Sequence, residues 1–209
     1  MKKIFILSVL LAFFLFGCGK KEEVPPQKAE EQPEQVAKTE TEKEAKPISQ
    51  EPIVREKNPI VVIETNLGTI ELELFWKDTP KTAENFLKLV TSGFYNGLTF
   101  HRIVPNFVIQ GGDPSGDGTG GPGYSIPFEQ ANTKHLRGSL GMARSQDPNS
   151  AGSQFYICLR ALPNLDGNYV VFGKVISGMD VVDKIAQVPT GPGDMPKEKV
   201  TMTKVYEKR

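Results

Sequence analysis

Two polar residues with long side chains interrupt an apolar, strand-like run, FHRIVPNFVIQGGD, between Phe100 and Asp113. Arg102 carries a guanidinium that stays charged, and Gln110 carries an amide that both donates and accepts hydrogen bonds. Interior strand positions are normally apolar, because a buried polar group without a partner costs free energy. The pair therefore indicates either a site that orients a ligand or a strand face in contact with water.

The two-residue period of a strand assigns the neighbours of Gln110 to faces. Val108 and Gln110 share one face, while Phe107 and Ile109 point the other way or lie at the edge of the strand. An apolar and a polar side chain are therefore predicted to stand side by side on the same surface.

The later segment GSQFYICL repeats this arrangement. Gln154 and Tyr156 share one face, and Ser153, Phe155 and Ile157 share the other. If the two glutamine-bearing faces meet, they form a concave apolar surface with a few polar groups, which is the usual composition of a ligand site. A solvated face with two amphipathic glutamines is the alternative, and the pattern alone leaves both interpretations open.

A hairpin and a helix are predicted ahead of these strands. The alternating segment 60–75 is broken by turn residues at 66–68, which favours a β-hairpin. Thr79 can cap a helix that begins at Pro80 and ends at Gly93. The apolar positions of this helix fall on one face: Ala83, Phe86, Leu87 and Val90.

Short strands dominate the rest of the domain. Strand-like segments cover 98–104, 107–112, 138–144, 153–159, 169–176 and 199–207. A second helix is predicted within GMDVVDKIAQV, with Val182, Ile185 and Ala186 facing inward. Many short strands with two helices favour a closed or nearly closed antiparallel β structure over alternating βαβ units.

Residues 1–17 are typical of a targeting segment. Lys2 and Lys3 precede an apolar run of 13 residues, whereas a bilayer span takes about 20. The end of the run, LFGC, resembles the lipobox of bacterial lipoproteins, although Phe16 is bulkier than the usual residue there. That resemblance implies removal of residues 1–17 and lipidation of Cys18. An ordinary secretory signal with an incidental cysteine is the alternative.

Residues 19–58 contain no aromatic residue and are rich in Glu, Lys, Pro and Gln. Such a segment cannot bury enough apolar surface to offset its conformational entropy. We therefore expect residues 18–58 to form a lipidated, disordered tether spanning roughly 35 Å, and residues 59–209 to form one globular domain. The domain is expected to be exported and anchored to a membrane, at the periplasmic or extracytoplasmic face of the cell envelope.

Composition excludes several classes of function. Lys+Arg and Asp+Glu both number 25, so charge gives no argument for a nucleic-acid partner. With Cys18 assigned to lipidation, Cys158 has no disulfide partner and is expected to be buried. The chain has two histidines, His101 and His135, and no spacing around them is typical of a metal site or of a Ser-His-acid set. The glycine-rich loop at 112–125 lacks the lysine of a phosphate loop and the pattern of a calcium loop, and we expect neither metal nor cofactor.

Five longer motifs occur in order between about Ile60 and Val205: FHRIVPNFVIQGGD, GTGGPGYSIPFE, GSLGMAR, AGSQFYI and LDGNYVVFGKVISGMDVVDKI. Together they resemble the cyclophilins, which are peptidyl-prolyl cis-trans isomerases. The resemblance implies a mainly β fold, a closed eight-stranded antiparallel barrel capped by two α-helices. It also implies a monomeric isomerase that acts on proline-containing segments of exported proteins and assists their folding. A chaperone module that binds proline segments with little turnover is the alternative.

The resemblance also assigns roles by position. It implies that Arg102 is the catalytic arginine, that Gln110 holds it, and that His101 is structural. At Arg144 the backbone N–H would hold the substrate carbonyl. The substrate-binding residues implied in this way are Phe107, Val108, Ala143, Arg144, Gln154, Tyr156, Asn164, Leu165 and Tyr169.

Five of these positions depart from the common pattern of the family. Val108 replaces methionine, Arg144 replaces asparagine and Tyr156 replaces phenylalanine in many members. These three keep their size or act through the backbone, so activity is expected to persist. Asn164 replaces the tryptophan of cyclosporin-sensitive members, and Tyr169 replaces histidine. Both lie at the predicted rim and bear on inhibitor affinity and substrate preference.

Overall fold

The structure is a computed structural model that describes residues 55–209. The predicted targeting segment, Cys18 and nearly all of the predicted tether lie outside the described residues. Within 55–209, no helix combines the length and the apolar character needed to cross a lipid bilayer.

The described residues form eight strands and two α-helices, close to the predicted segments. The strands are β1 (Ile60–Thr65), β2 (Gly68–Leu74), β3 (Phe100–Val104), β4 (Val108–Gly111), β5 (Ser139–Met142), β6 (Phe155–Cys158), β7 (Val171–Ser177) and β8 (Met202–Lys208). The helices are α1 (Pro80–Thr91) and α2 (Met179–Ala186). Three short 3₁₀ turns lie at Pro148–Ser150, Pro163–Leu165 and Pro192–Asp194.

All eight strands belong to one antiparallel sheet in the order β3-β4-β6-β5-β7-β2-β1-β8. The sheet curls into an open half-barrel, so the prediction of a closed barrel is wrong. Its edge strands meet only through an isolated bridge between Thr99 and Thr201 and adjacent backbone bonds such as Phe100 N–H to Val200 O at 2.9 Å. Beyond that point β3 packs against the 3₁₀ turn at Pro192–Asp194 instead of β8.

The predicted hairpin is confirmed, with β1 and β2 paired from Ile60–Glu73 to Thr65–Gly68. Gly68 has a φ of +136°, and the Thr65 hydroxyl donates to its carbonyl at 2.7 Å. A glycine suits this turn because side chains rarely adopt such a backbone conformation.

Helix α1 begins at Pro80 as predicted, but its N-terminus is capped differently from the prediction. Thr79 occupies the N-cap position, yet its hydroxyl donates to the Phe75 carbonyl at 3.1 Å and caps nothing. The carboxylate of Glu129, from a distant loop, accepts the free N–H groups of Lys81 and Thr82 at 3.0 and 2.8 Å. A carboxylate here accepts hydrogen bonds from two of the unpaired helix N–H groups and interacts favourably with the positive end of the helix dipole.

The two helices pack against different parts of the sheet. Helix α1 lies against β7 and β8, and α2 lies against β2, β3 and β4. Val182 and Ile185 of α2 are buried as predicted, whereas Ala186 is only partly buried and Val181 is buried beside them. The main core therefore fills the concave side of the sheet and reaches both helices.

Candidate active site

Strands β4 and β6 present opposite faces to two separate apolar clusters. Their register places Gln110 opposite Tyr156 and Ile109 opposite Ile157. Ile109 and Ile157 belong to the main core. Val108 and Tyr156 belong to a smaller cluster on the other face. The predicted faces are confirmed for these four residues, and the two glutamine-bearing faces meet.

The smaller cluster lines a pocket of about 190 Å³. Nine of the eleven residues proposed from the sequence border it: Arg102, Phe107, Val108, Gln110, Ala143, Arg144, Tyr156, Leu165 and Tyr169. Mostly apolar walls with a few polar groups are the normal composition of a small-ligand site. The volume suits one small ring or side chain rather than a large cofactor.

A chain of side-chain hydrogen bonds holds Arg102 at the edge of the pocket. Its Nη1 donates to Gln110 Oε1 at 3.3 Å, and Gln110 Nε2 donates to Gln154 Oε1 at 3.0 Å. Gln154 Nε2 in turn donates to the carbonyls of Gly118 and Gly120, both at 2.9 Å. Each amide is thereby oriented by the next, so the glycine-rich loop fixes the direction in which Gln110 presents its oxygen to the guanidinium.

An acidic residue that sequence reasoning missed lies on the other side of Arg102. Asp194 Oδ2 is 3.5 Å from Arg102 Nε, with side chains 47% and 36% exposed, respectively. Asp194 ends the 3₁₀ turn after α2 and has a φ of +60°. The segment GPGD, residues 191–194, predicts only a turn. Nothing in this segment indicates a contact with a residue 92 positions earlier. At this exposure the ion pair contributes about 0–1 kcal/mol.

Arg144 and Tyr169 form part of the rim together. The guanidinium of Arg144 lies 4.6 Å from the centroid of the Tyr169 ring. Its Nη2 donates to the Asn168 carbonyl at 2.9 Å and its Nη1 donates to the Ser145 carbonyl at 2.8 Å. The side chain of Arg144 therefore braces two rim segments and keeps Tyr169 in place.

Phe107 reaches the pocket although strand alternation alone placed it elsewhere. It lies before the first residue of β4, in the turn where its N–H donates to the Val104 carbonyl at 3.0 Å. The preceding Asn106 has a φ of +58°. Alternation applies only inside the strand, so the turn sets the direction of Phe107, and its ring packs with Val108.

The other two proposed residues lie outside this pocket. Gln154 lines a neighbouring cavity of about 500 Å³, which shares Gln110, Ala143 and Arg144 with the first. Asn164 is exposed on the 3₁₀ turn at Pro163–Leu165 and lines neither cavity. The glycine-rich loop borders the larger cavity, where the Asp113 carboxylate accepts backbone N–H groups of Ser115, Asp117 and Gly118.

Burial sets the ionisation of two groups near the pocket. It lowers the pKa of His101, against a smaller opposing effect of the Asp113 charge, so the imidazole next to Arg102 is neutral at pH 7. Burial also raises the pKa of the Cys158 thiol to about 12, with a contribution from Asp166. A thiol with so high a pKa is a poor nucleophile. Across residues 55–209, His, Cys, Asp and Glu side chains form no group of three that could hold a metal ion.

Fold and pocket together define a class that comparison with known proteins identifies. Residues 60–207 match the family described as cyclophilin type peptidyl-prolyl cis-trans isomerase/CLD. The chain therefore belongs to the cyclophilin-type peptidyl-prolyl cis-trans isomerases, enzymes that interconvert the cis and trans forms of X–Pro bonds.

Individual relatives cover almost the whole described domain. A peptidyl-prolyl cis-trans isomerase of Helicobacter pylori is 51% identical over 135 residues, 63% of this chain and 82% of the relative. Human peptidyl-prolyl cis-trans isomerase-like 1 is 42% identical over 153 residues, 71% of this chain and 92% of the relative. The crystal structure of a Cryptosporidium parvum cyclophilin type isomerase in the presence of the dipeptide Ala-Pro superposes with a TM-score of 0.69 at 38% identity, covering 72% of this chain and 99% of that one.

Proposed function

We propose that the pocket of about 190 Å³ binds the proline ring of an X–Pro segment and that Arg102 stabilises the twisted amide during rotation. The observation that carries the proposal is the Arg102 guanidinium, held by Gln110 at the edge of a mostly apolar pocket. A charged donor beside an apolar ring site is what this reaction requires.

Rotation about an X–Pro bond has a barrier near 20 kcal/mol because the amide is conjugated, and uncatalysed exchange takes roughly 10–100 s. No covalent bond forms or breaks, so the enzyme needs only to bind the twisted amide better than either planar form. The twisted amide has a more basic, pyramidal prolyl nitrogen. Arg102 would donate a hydrogen bond to that lone pair or to the nearby carbonyl oxygen.

The remaining pocket residues would hold the ring while the bond rotates. Phe107, Val108, Tyr156 and Leu165 supply apolar contact, and the backbone N–H of Arg144 would hold the substrate carbonyl. A turnover of about 10³ s⁻¹ requires roughly 7 kcal/mol of differential stabilisation. Donors that are fixed before the substrate binds provide such stabilisation without reorganising in the reaction. The chain from Gln154 through Gln110 to Arg102 supports this role, because it orients the guanidinium in advance.

Arg102→Ala in the purified full-length chain tests this assignment. We expect kcat/KM for a short X–Pro peptide to fall about 100-fold or more, because the lost contact is made mainly in the transition state. The melting temperature should hardly change, since Arg102 is partly exposed. Arg209→Ala, at the exposed end of the chain, is the matched control and should retain full activity. A loss of less than fivefold in Arg102→Ala would mean that the guanidinium is not the catalytic group.

We also propose that the enzyme is exported and held at a membrane by a lipid on Cys18, where it acts as a monomer on exported proteins. The proposal is supported by the short basic start, the apolar run and the cysteine that follows it. Two or more acyl chains anchor a protein stably, whereas one does not. A tether of roughly 35 Å would let the domain reach proline segments of proteins that fold near the membrane.

Cys18→Ser should move the protein from the membrane fraction into the soluble exported fraction. The physical reason is that the tether residues 19–58 contain no apolar stretch that could replace the lipid. Immunoblotting of fractionated cells measures the outcome, with Cys158→Ser as the control that should stay with the membrane. Persistent membrane association of Cys18→Ser would instead favour an uncleaved anchor or a protein receptor.

A further inference from the structure

The wall residue Tyr156 carries a polar group behind the surface that it offers to the pocket. Its ring lines the pocket, while its hydroxyl lies 2.9 Å from His135 Nε2 in a buried contact. Gly141 lies directly opposite on β5, and a Cβ there would overlap the Tyr156 ring. The missing side chain at Gly141 therefore leaves room for the Tyr156 ring beside β5, and the hydroxyl contact holds the far end of the ring.

His135 is the partner of that hydroxyl and is itself fully enclosed. Its side chain is 0% exposed, and its ring is nearly parallel to that of Tyr156, with an interplanar angle of 13° and centroids 6.1 Å apart. Nδ1 lies 2.9 Å from Asp166 Oδ1, so Nδ1 carries the proton that the carboxylate accepts. In the neutral imidazole Nε2 is then an acceptor, and the Tyr156 hydroxyl donates to it. Burial raises the pKa of the Tyr156 phenol, which keeps the hydroxyl as a donor.

Asp166 connects this pair to the rim of the pocket. It directly follows the 3₁₀ turn at Pro163–Leu165, whose Leu165 lines the pocket. The Asp166 carboxylate also accepts the backbone N–H of His135 at 2.9 Å, and the His135 carbonyl accepts the N–H of Leu162 at 2.9 Å. The segment that carries His135 is therefore bonded to the rim at two backbone points and through its side chain.

We propose that His135 is a positioning residue for the isomerase, the centre of a largely buried Asp166–His135–Tyr156 chain that sets the aromatic wall of the pocket relative to the rim. The inference rests on the proposed function, since it assumes that this pocket holds the proline ring. A buried polar network in which every member has a partner is rigid and specifies one arrangement. His135 does not touch the substrate; it acts by holding Tyr156 and the turn that carries Leu165.

The position of an apolar wall affects the bound ring equally in the planar and twisted states. Loss of such uniform binding raises KM and leaves kcat nearly unchanged. His135→Phe keeps an aromatic ring but removes both side-chain hydrogen bonds, and we expect KM to rise about tenfold. In His135→Phe/Tyr156→Phe no buried hydroxyl lacks a partner, but the bond to Asp166 is still missing, so KM should fall back to about threefold above that of the natural protein.

The experiment measures kcat and KM for an X–Pro peptide in both variants of the full-length chain, with unfolding curves recorded in parallel. Tyr95→Phe is the matched control, because it removes another buried tyrosine hydroxyl, bonded to the Ser153 carbonyl at 3.0 Å in the main core. It should lower stability and leave KM unchanged. If His135→Phe does not fold, Asp166→Ala takes its place with an expected rise in KM of about threefold.

A folded His135→Phe with the KM of the natural protein, a double variant weaker than the single one, or an equal rise in KM for Tyr95→Phe would each overturn the proposal. If Asp166→Ala must be used, an unchanged KM overturns it as well. Failure of the pocket assignment looks different, because Arg102→Ala would then keep its kcat. The two hypotheses can therefore fail separately.

Discussion

The two faces of β6 and of Gln154, the residue before it, are held in place by different kinds of contact. On the inner face, Phe155 contacts other aromatic rings edge to face, with centroid distances of 5.4 Å to Phe86 and 5.6 Å to Tyr95. On the outer face, the Tyr156 hydroxyl bonds to His135, and the Gln154 amide donates to two backbone carbonyls. Packing of apolar rings predominates on the inner face, whereas hydrogen-bond partners order the outer one.

This difference separates stability from catalysis along a single strand. Inner side chains contribute apolar burial, which is large and largely independent of direction. Outer side chains contribute direction, which matters for a reaction that depends on where one guanidinium points. Substitutions at Phe155, the first residue of β6, and at Gln154 directly before it should therefore give opposite results in assays of unfolding and of turnover.

The largest effect is expected for Phe155→Ala. Removing a fully buried aromatic side chain costs about 3–5 kcal/mol of unfolding free energy, from lost burial and from the cavity that remains. Urea unfolding measures this loss, and kcat/KM of the folded fraction at low temperature should stay within about threefold of the natural value. A loss below about 1 kcal/mol would show that the inner face does not depend on packing in this way.

The adjacent substitution Gln154→Leu should act on the rate instead. Gln110 would lose the partner that orients it, and we expect kcat to fall about tenfold, equivalent to about 1.4 kcal/mol. Stability should change little, because Gln154 is only partly buried. Gln130→Leu, at an exposed loop position, is the control. An unchanged kcat in a folded Gln154→Leu would show that the amide chain does not orient Arg102.

The period of the strands explains how much of this comparison could be predicted from sequence. Alternation assigned Gln154 and Tyr156 to one face and Phe155 to the other. Phe155 and Tyr156 do belong to different apolar clusters, and Gln154 bonds to Gln110 at the pocket. Alternation failed at Phe107 because that residue precedes β4, where the turn determines direction. Alternation predicts side-chain direction inside a strand, but it does not predict the direction of a residue in the adjoining turn.

Contacts between distant segments could not be predicted from local pattern. Glu129 caps α1 from 47 positions beyond its partner Thr82, and Asp194 reaches Arg102 from a turn. A strand's period gives its face but not its neighbour, so it could not correct the closed barrel that the family resemblance implied. The link between His135 and Tyr156 had one signal in the sequence, a tyrosine where many relatives have phenylalanine, since a buried hydroxyl requires a partner.

The smallest effect concerns His101, which lies between Phe100 of the core and Arg102 of the pocket. It is 5% exposed, and neither ring nitrogen has a hydrogen-bond partner among the described residues. Burial lowers its pKa in the folded state below the ordinary 6.5, so on acidification the unfolded chain binds a proton first. The stability that depends on an uncharged His101 is therefore fully present above about pH 6.5. It decreases as the pH falls below that value, until the folded-state pKa is reached.

One such proton changes the unfolding free energy by at most about 1.4 kcal/mol per pH unit. Urea unfolding between pH 7 and pH 5 should show this slope in the natural chain and a smaller one in His101→Phe, which keeps an uncharged ring of similar size. The pKa values of the Glu73, Asp117 and Asp166 carboxyl groups are lowered from their ordinary values. Their contributions to the unfolding free energy are therefore lost only at more acidic pH than this range. Equal slopes in the two proteins would mean that His101 accepts its proton in the folded state as easily as in water. In that case the His101 side chain would be accessible to solvent and would not belong to the buried part of β3.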